Sequence, residues 1–285
     1  MTQSTVFPQE RVTIVGVLNL TPDSFSDGGR FVSKGADLDL EAAVAEAEAL
    51  VASGAGMLDV GGESTRPGSE EVPVDVEIAR TRPLIEALAK SISLPISIDT
   101  RKAAVAEAAL EAGAAVVNDI SGLRFDPLLA GVTARAGAAI ILGHLRGDPA
   151  TMQRTVRFED VVAEVAAELR ASADRALEAG IPEERIGVDP GIGFGKRLAH
   201  NLDLIANLGR IRRFVGLPVL VGASRKSFLG ELTGNPVDRR VEATFAASAV
   251  AIFAGADAIR VHDVEGALQM ATVARALREA RRDPT

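Results

Sequence analysis

The chain has 285 residues, of which 47% are hydrophobic and 25% are charged. That length and composition suit one domain with a large buried core, and an α/β barrel is of this size. The absence of cysteine excludes disulfides, thiol nucleophiles and zinc–thiolate sites. A formal net charge of −8 and the lack of Trp and Tyr argue against nucleic-acid binding. An anionic substrate would therefore need a few locally placed cations.

The first residues of the chain are polar and contain no apolar signal core. We predict an N-terminal extension over residues 1–11 and a single domain over residues 12–282. Apolar runs such as Ala138–Leu142 are too short to cross a bilayer. We therefore expect a soluble, cytoplasmic protein that has no membrane partner.

Short apolar runs recur along the chain, each followed by a polar loop and an Ala-rich stretch. We count eight of them: Thr13–Leu20, Met57–Gly61, Pro95–Thr100, Ala115–Ile120, Ala138–Leu145, Arg185–Asp189, Pro218–Ala223 and Ala258–His262. They are continuous rather than alternating, which is typical of parallel strands that are buried on both faces.

The stretches between these runs have helical spacing. Val161, Val165, Leu169 and Ala173 recur every four residues and predict one apolar stripe. Several helices are predicted to end at a glycine in the left-handed conformation, namely Gly54, Gly113, Gly137, Gly180 and Gly255. Eight strand–helix units without a linker favour a single-domain (β/α)8 TIM barrel. An open doubly wound sheet has the same local alternation and is the alternative fold.

Polar side chains lie at the carboxyl ends of the predicted strands, where such a barrel has its active site. They are Asn19, Asp59, Asp99, Asn118, His144, Asp189, Ser224 with Arg225 and Lys226, and Arg260 with His262. Burying this ring of groups without a ligand would be costly. Single members have simpler explanations, since Asp59 can cap its own loop and Arg260 can pair with Asp263.

Two further features suggest what the ligand is. Arg260 and His262 alternate with Val261 and so share one side of their strand, which suits an anionic leaving group. Segment 224–228 precedes a predicted short helix, where Ser227 could cap the helix or donate to a carboxylate. The glycine-rich segment Asp189–Lys196 matches neither a Walker loop nor a dinucleotide fingerprint, because Pro190 and Lys196 occupy glycine positions. Its glycines fit close approach of backbone to a flat ligand.

These segments together resemble one family. Leu18–Gly29 and Asp59–Gly68 resemble the two N-terminal signatures of dihydropteroate synthases. Further segments follow in the family's order: Ile98–Thr100, Asn118–Ile120, Asp189–Lys196, Ser224–Phe228 and Arg260–Asp263. The resemblance covers residues 12 to about 280. One departure is Leu145, where the family often has Met, and the similar volume keeps the apolar contact.

The resemblance implies a transferase of folate biosynthesis that joins 6-hydroxymethyl-7,8-dihydropterin pyrophosphate to para-aminobenzoate and is a target of sulfonamides. It implies that Asp99, Asn118, Asp189, Gly222 and Lys226 bind the pterin, and that Thr65, Arg66, Pro67, Phe194 and Ser227 border para-aminobenzoate. Asn19, Arg66, Arg260 and His262 would hold the pyrophosphate, with Asn19 also on a Mg²⁺ ion. The catalytic residues would be Asp99, Lys226, Arg260 and His262, and a homodimer is implied too.

Two alternatives use a similar barrel. A pterin-dependent methyltransferase domain would pass a methyl group to a corrinoid, but it has little use for Thr65–Pro67 or for the Arg260 and His262 pair. A non-catalytic pterin-binding paralogue is expected to lose motif residues, whereas this chain keeps them.

Overall fold

The computed structural model describes residues 5–8, 10–21, 38–66, 68–147, 152 and 156–281. Eight strands are present in these residues: β1 (Thr13–Asn19), β2 (Met57–Gly61), β3 (Ile96–Asp99), β4 (Val116–Asp119), β5 (Ala139–Gly143), β6 (Ile186–Asp189), β7 (Leu220–Val221) and β8 (Ala258–Val261). Each lies within an apolar run predicted from the sequence.

The same residues form ten α-helices: α1 (Leu40–Ala52), α2 (Val74–Ser91), α3 (Ala103–Glu111), α4 (Leu129–Arg135), α5 (Val161–Glu178), α6 (Leu198–Ala206), α7 (Leu208–Val215), α8 (Ser227–Thr233), α9 (Val241–Ala254) and α10 (Val264–Ala280). Short 3₁₀ turns precede β6 and α9. No helix in the described part of the chain is both long and apolar enough to cross a bilayer.

The sheet is parallel throughout, in the order β6-β5-β4-β3-β2-β1-β8-β7. Its two outer strands meet through a parallel bridge between Val188 and Val219. The Val188 N–H also donates to the Pro218 carbonyl oxygen at 2.9 Å. These contacts bring the sheet round into a barrel. The predicted (β/α)8 class is confirmed, and the open-sheet alternative is wrong.

Helix α5 shows how local sequence determines the buried face and the ends of a helix in the outer layer of the barrel. The predicted stripe of Val161, Val165, Leu169 and Ala173 is buried. The helix begins at the Asp160 side chain, which accepts hydrogen bonds from two backbone N–H groups of the first turn. The five glycines predicted to end helices all have positive φ, between +62° and +120°. The helices therefore begin and end where local sequence directs.

The end of the barrel opposite to the polar strand ends is closed by the N-terminal segment. Val6 and Phe7 are 2% and 1% exposed and pack against inward-facing residues of the barrel such as Met57 and Leu220. The Val6 N–H donates to the Glu184 carbonyl oxygen at 2.9 Å. The packed unit therefore includes residues that precede Val12, the predicted start of the domain.

Candidate active site

Alternation along the strands decides which polar side chains enter the barrel. Inward-facing apolar residues form one buried cluster that includes Met57, Val116, Leu220 and Ala258. Two residues further along the same four strands stand Asp59, Asn118, Gly222 and Arg260. Side chains two residues apart point to the same face of a strand, so these residues also face the interior. The apolar layer lies below them, and the barrel mouth lies above.

Arg260 of β8 joins two carboxylates at the floor of the site. Its Nε donates to Asp59 Oδ2 at 2.6 Å, and its Nη2 donates to Asp99 Oδ2 at 2.8 Å. The Asn118 side-chain amide donates to the same Asp59 oxygen at 3.0 Å. The Oδ1 atoms of Asp59 and Asp99 are buried and have no hydrogen-bond partner within the described residues. A buried acceptor without a partner is costly, so Asp99 Oδ1, whose residue lines the cavity, suits a ligand that donates hydrogen bonds.

The ionisation of the floor reflects its burial. Burial raises the pKa of Asp99 to about 7, against the lowering effect of the Arg260 charge. Burial also opposes the charge of Arg260, but the neighbouring Asp59 and Asp99 carboxylates raise the pKa of the guanidinium. The arginine therefore stays charged while Asp99 is poised to gain or release a proton near neutral pH.

Asp189 and Lys226 form the opposite wall of the site. Asp189 Oδ1 accepts a hydrogen bond from the Gly191 N–H at 2.7 Å, and burial raises the pKa of this carboxyl. Lys226 donates to the Ile192 carbonyl oxygen, and its ammonium lies 4.1 Å from the centre of the Phe194 ring. Burial lowers the pKa of Lys226 to about 8, against the effect of Asp189. A carboxylate and an ammonium thus face the same space.

The glycine-rich segment after β6 is held from beneath by Lys196. Lys196 Nζ lies 3.0 Å from His144 Nδ1 and donates to the carbonyl oxygens of Phe194 and His144 at 3.0 and 3.2 Å. Burial lowers the pKa of this amino group well below its usual value. The other ring nitrogen of His144 lies 3.1 Å from Glu168 Oε2. Gly191 has a φ of +68°, and a Cβ there would lie 1.9 Å from the His144 carbonyl oxygen. The loop after β6 therefore packs closely against the loop after β5. Glycine allows this approach because it has no side chain.

Cations surround the mouth of the site near the end of β8. His262 Nδ1 lies 2.9 Å from Ser224 Oγ. Burial and the nearby charges of Arg260, Arg225 and Arg66 lower the pKa of His262 to about 3. The imidazole is therefore neutral at physiological pH, and an anion bound among these groups would offset their mutual repulsion.

Arg225 occupies an unusual backbone position in this region. Its φ of +55° is one that non-glycine residues rarely adopt. The Arg225 N–H donates to Thr244 Oγ1 at 3.0 Å, and the Arg225 carbonyl oxygen accepts from Arg240 Nη1 at 3.2 Å. These contacts hold a strained turn in place, and strain of this kind is concentrated at ligand sites.

One cavity of about 570 Å³ opens among these groups. The described residues to which the resemblance gave a role in binding or catalysis all line it: Asn19, Thr65, Arg66, Asp99, Asn118, Asp189, Phe194, Gly222, Lys226, Ser227, Arg260 and His262. Asp59, predicted as one of the strand-end residues, is not among the lining residues. Pro67, predicted to border para-aminobenzoate, lies outside the described residues, as do residues 22–29 of the motif Leu18–Gly29. The cavity is large enough for a bicyclic ring and a second small molecule.

Several lining residues were not predicted from the sequence. Ile120 and Met152 pack with Leu145 and against Phe194 in a small apolar cluster at the cavity wall. Arg240 lines the cavity from the residue before α9, far from any strand end. Arg240 could not be predicted from the sequence, because nothing in its local sequence differs from that of a surface arginine.

Three simpler explanations considered for single residues are not what the structure shows. Asp59 bonds Arg260 and Asn118 rather than backbone of its own loop. Asp263 accepts from the Gly266 N–H as the N-cap of α10, so it does not pair with Arg260. Ser227 is the first residue of α8, and Lys226 occupies the capping position.

Metal ligands are sparse in this cavity. Within the residues that the structure describes, no three His, Asp or Glu side chains gather to hold a metal. Asn19 places an amide beside the cavity at the end of β1. Mg²⁺ keeps several waters and is often bound by one or two protein oxygens plus substrate phosphates, so a single amide oxygen fits a metal that arrives with a phosphorylated substrate.

The barrel and its cavity are those of an α/β-barrel enzyme whose active site is lined by carboxylates, amides and cations. Residues 15–262 match the family model described as pterin binding enzyme. The dihydropteroate synthase of Synechocystis sp. is 46% identical over 94% of this chain and 91% of its own length. That of Bacillus subtilis is 41% identical over 92% of this chain and 87% of its own.

Solved structures agree. Yersinia pestis dihydropteroate synthase in a sulfonamide drug complex has a TM-score of 0.89 and 39% identity, covering 95% of this chain and 96% of that one. The Xanthomonas albilineans enzyme with 4-aminobenzoic acid has a TM-score of 0.86 and 42% identity, covering 96% and 95%. The chain therefore belongs to the dihydropteroate synthase family of pterin-binding enzymes. The family indicated by the sequence motifs is confirmed.

Proposed function

We propose that this chain condenses 6-hydroxymethyl-7,8-dihydropterin pyrophosphate with para-aminobenzoate, giving 7,8-dihydropteroate and pyrophosphate. The C–O bond to pyrophosphate breaks, the arylamine nitrogen bonds the same carbon, and the amine releases one proton. The observation that carries the proposal is the set of polar groups on the floor and the opposite wall, where Asp99, Asn118, Asp189 and Lys226 surround one cavity below a cation-rich mouth. A dihydropterin has donors and acceptors along its edges that such groups can match.

The pterin is proposed to lie flat on this floor. Asp189 would accept from its 2-amino and ring N–H edge, which presents two donors much as guanidinium does. Asn118 and the Oδ1 atom of Asp99 would meet other polar edges, and Lys226 would donate to the carbonyl and ring-nitrogen side. Gly222 has no side chain, so the ring can approach the β7 backbone closely.

The pyrophosphate is proposed to bind at the mouth. His262, neutral and hydrogen-bonded to Ser224, can donate through its other ring nitrogen. Arg66 and Arg260 add positive charge, and the Nη1 atom of Arg260 is used in neither of its ion pairs. Charge growing on the leaving oxygen would be stabilised by these fixed groups, which need no rearrangement during the reaction.

Asn19 is the residue proposed to hold Mg²⁺, together with oxygens of the pyrophosphate. When bound, the ion would neutralise negative charge on the leaving group. Positive charge left on carbon can spread into the electron-rich dihydropterin ring. Arylamines are unprotonated at neutral pH, so the attacking amine needs no strong general base. The role left to the protein is to orient the two substrates.

Para-aminobenzoate is proposed to lie between the second-strand loop and α8. Thr65, Arg66 and Pro67 would border it on one side, and Phe194 and Ser227 on the other. Ser227 is exposed at the start of α8, where it can donate to a carboxylate. The Xanthomonas albilineans structure contains 4-aminobenzoic acid, which supports such a subsite in this fold.

Product analysis by mass spectrometry tests the reaction directly. The protein is incubated with dihydropterin pyrophosphate, para-aminobenzoate and Mg²⁺, and a parallel sample contains EDTA. We expect 7,8-dihydropteroate only when the metal is present. Product that persists in EDTA would contradict the Mg²⁺ proposal alone, whereas folded protein that binds pterin without forming product would contradict the reaction.

We propose further that the chain is a cytoplasmic homodimer. An apolar face on α9 and α10 supports the dimer, because Val250, Phe253, Val273 and Leu277 are at least 40% exposed. Apolar surface of this kind is typical of interfaces. Phe253→Glu with Leu277→Glu should yield monomers by light scattering, while the wild type runs as a dimer. A monomeric wild type would contradict the proposal.

A further inference from the structure

A cluster of buried charges lies directly behind the loop that borders the cavity. We define loop 63–72 as the segment from Glu63 to Val72, which follows β2 and precedes α2. The Lys102 ammonium is 4% exposed and contacts Glu63 Oε2 at 2.6 Å and Glu77 Oε2 at 2.7 Å. It also donates to the Val72 carbonyl oxygen at 2.5 Å. An ammonium has three N–H donors, so these contacts use all of them.

Lys102 thereby contacts both ends of loop 63–72. Glu63 and Val72 are also joined to each other, since the Val72 N–H donates to Glu63 Oε2 at 2.7 Å. Arg101 Nε donates to the second oxygen of Glu63 at 3.3 Å, and Arg80 Nη1 donates to the Gly62 carbonyl oxygen at 2.9 Å. The base of the loop is therefore closed by charge-assisted hydrogen bonds.

The middle of the loop faces the cavity. Ser64, Thr65 and Arg66 line it, together with Glu63 itself. Ser69 Oγ donates to the carbonyl oxygens of Ser64 and Arg66 at 2.5 and 2.9 Å, so the loop is also tied within itself. Any shift at its base is consequently passed to the residues that border the arylamine subsite.

Burying these charges contributes little to stability. Desolvation of an ion pair offsets most of its attraction, and apolar residues of the same size often stabilise a fold equally well. Burial opposes the charge of Lys102, yet its hydrogen bonds to Glu63 and Glu77 raise the pKa of the ammonium. The Lys102 ammonium therefore stays charged and keeps its hydrogen bonds to Glu63 and Glu77. These bonds hold the two glutamate side chains in place.

We propose that Lys102 is a positioning residue that holds the base of loop 63–72 through Glu63 and thereby orients Thr65 and Arg66 toward the arylamine substrate. The inference deepens the proposed function and rests on it. It predicts that loss of the Lys102–Glu63 pair weakens use of para-aminobenzoate and leaves pterin binding unchanged, because Lys102 contacts Glu63, Glu77 and Val72 and none of the residues proposed to bind the pterin.

Glu77 supplies a matched control. Glu63 and Glu77 contact the same ammonium at nearly equal distances, and their side chains are 6% and 1% exposed. Only Glu63 belongs to the loop, since Glu77 lies on α2. Glu77→Gln therefore disturbs the same cluster and lowers stability, but it leaves the contact between Lys102 and the loop.

Steady-state kinetics on Lys102→Met, Glu63→Gln and Glu77→Gln test the proposal. We expect the KM for para-aminobenzoate to rise roughly tenfold or more in the first two variants, since misplacement by about 1 Å can cost about 100-fold. It should change less than about twofold in Glu77→Gln, and the calorimetric Kd for a pterin should change less than about twofold in all three. If Lys102→Met does not fold, the two glutamate variants decide the matter.

Equal KM increases in Glu63→Gln and Glu77→Gln would overturn the proposal, as would no increase in either. Amide hydrogen exchange gives a readout that does not depend on activity. Exchange within loop 63–72 should accelerate in Glu63→Gln and stay at the wild-type rate in Glu77→Gln. If the wild type forms no dihydropteroate, the proposed function fails, and the exchange comparison still decides whether the pair holds the loop.

Discussion

Asp99 combines a charge partner with deep burial. One of its oxygens bonds Arg260, while the other is buried without a partner in the described residues. Burial raises the pKa of this carboxyl from 3.8 to about 7. Between these values the folded protein holds a proton that the unfolded chain has released. Protonation of Asp99 therefore stabilises the folded protein fully below pH 3.8, the pKa in the unfolded chain. This stabilisation is lost as the pH rises to the folded-state pKa of about 7, and it does not change further at higher pH.

Asp99→Asn should reveal this linkage. We expect the free energy of unfolding of the wild type, relative to the variant, to fall between about pH 4 and pH 7, by at most about 1.4 kcal/mol per pH unit. Above about pH 7 the difference should become constant. Urea denaturation at several pH values measures it, and a difference independent of pH would show that folding does not raise the pKa of Asp99.

The loop after β6 illustrates what a single element contributes. Its backbone takes positive φ at Gly191 and packs against the strand-five loop, with Lys196 hydrogen-bonded beneath it. Gly180, which ends α5, has a similar requirement for positive φ but open space around it. Alanine at Gly180 would meet only the cost of a left-handed backbone, whereas alanine at Gly191 would also meet a steric clash. Comparing substitutions at the two positions therefore separates these two costs.

Gly191→Ala should be far more damaging than Gly180→Ala. At Gly180 only the left-handed conformation opposes alanine, and we expect a loss of about 1–2 kcal/mol in the free energy of unfolding. At Gly191 the methyl group also meets the His144 carbonyl oxygen, so the loop must move and pterin affinity should fall at least about tenfold. Urea denaturation and calorimetry measure both quantities. Equal effects in the two variants would contradict this account of the loop.

The two ends of the barrel differ in composition and in function. Polar and charged side chains lie at the carboxyl ends of the strands, around the cavity. The opposite end is filled by Phe7 and Val6 against an apolar layer. Side-chain packing at the closed end therefore contributes to stability, whereas the positions of the side chains at the open end determine substrate binding and catalysis.

Phe7→Ala should separate these two contributions. We expect it to lower the free energy of unfolding by about 3–5 kcal/mol, because it opens a cavity in a packed layer. The KM values of the folded fraction should not change, since the site lies at the other end. Phe214→Ala, at a position that is 62% exposed, serves as the control and should cost little. A change in KM for Phe7→Ala would show that the two ends are coupled.

Sequence by itself determined the elements and the set of candidate groups. Continuous apolar runs predicted the buried parallel strands, and the polar residues near the carboxyl end of each run predicted the site, because both are local patterns in the sequence. Asp99, Asn118, Asp189 and Arg260 could be named from these patterns, and all of them line the cavity.

Only the tertiary structure decided how these groups are paired. Arg260 bonds Asp59 and Asp99, which are about 201 and 161 residues away along the chain, and no local pattern encodes such a contact. Closure of the sheet between β6 and β7, the position of Arg240 at the cavity and the burial of Phe7 depend in the same way on strands meeting across the barrel. Spacing along the chain fixes which face a side chain takes, whereas its partners are fixed by where the other strands lie.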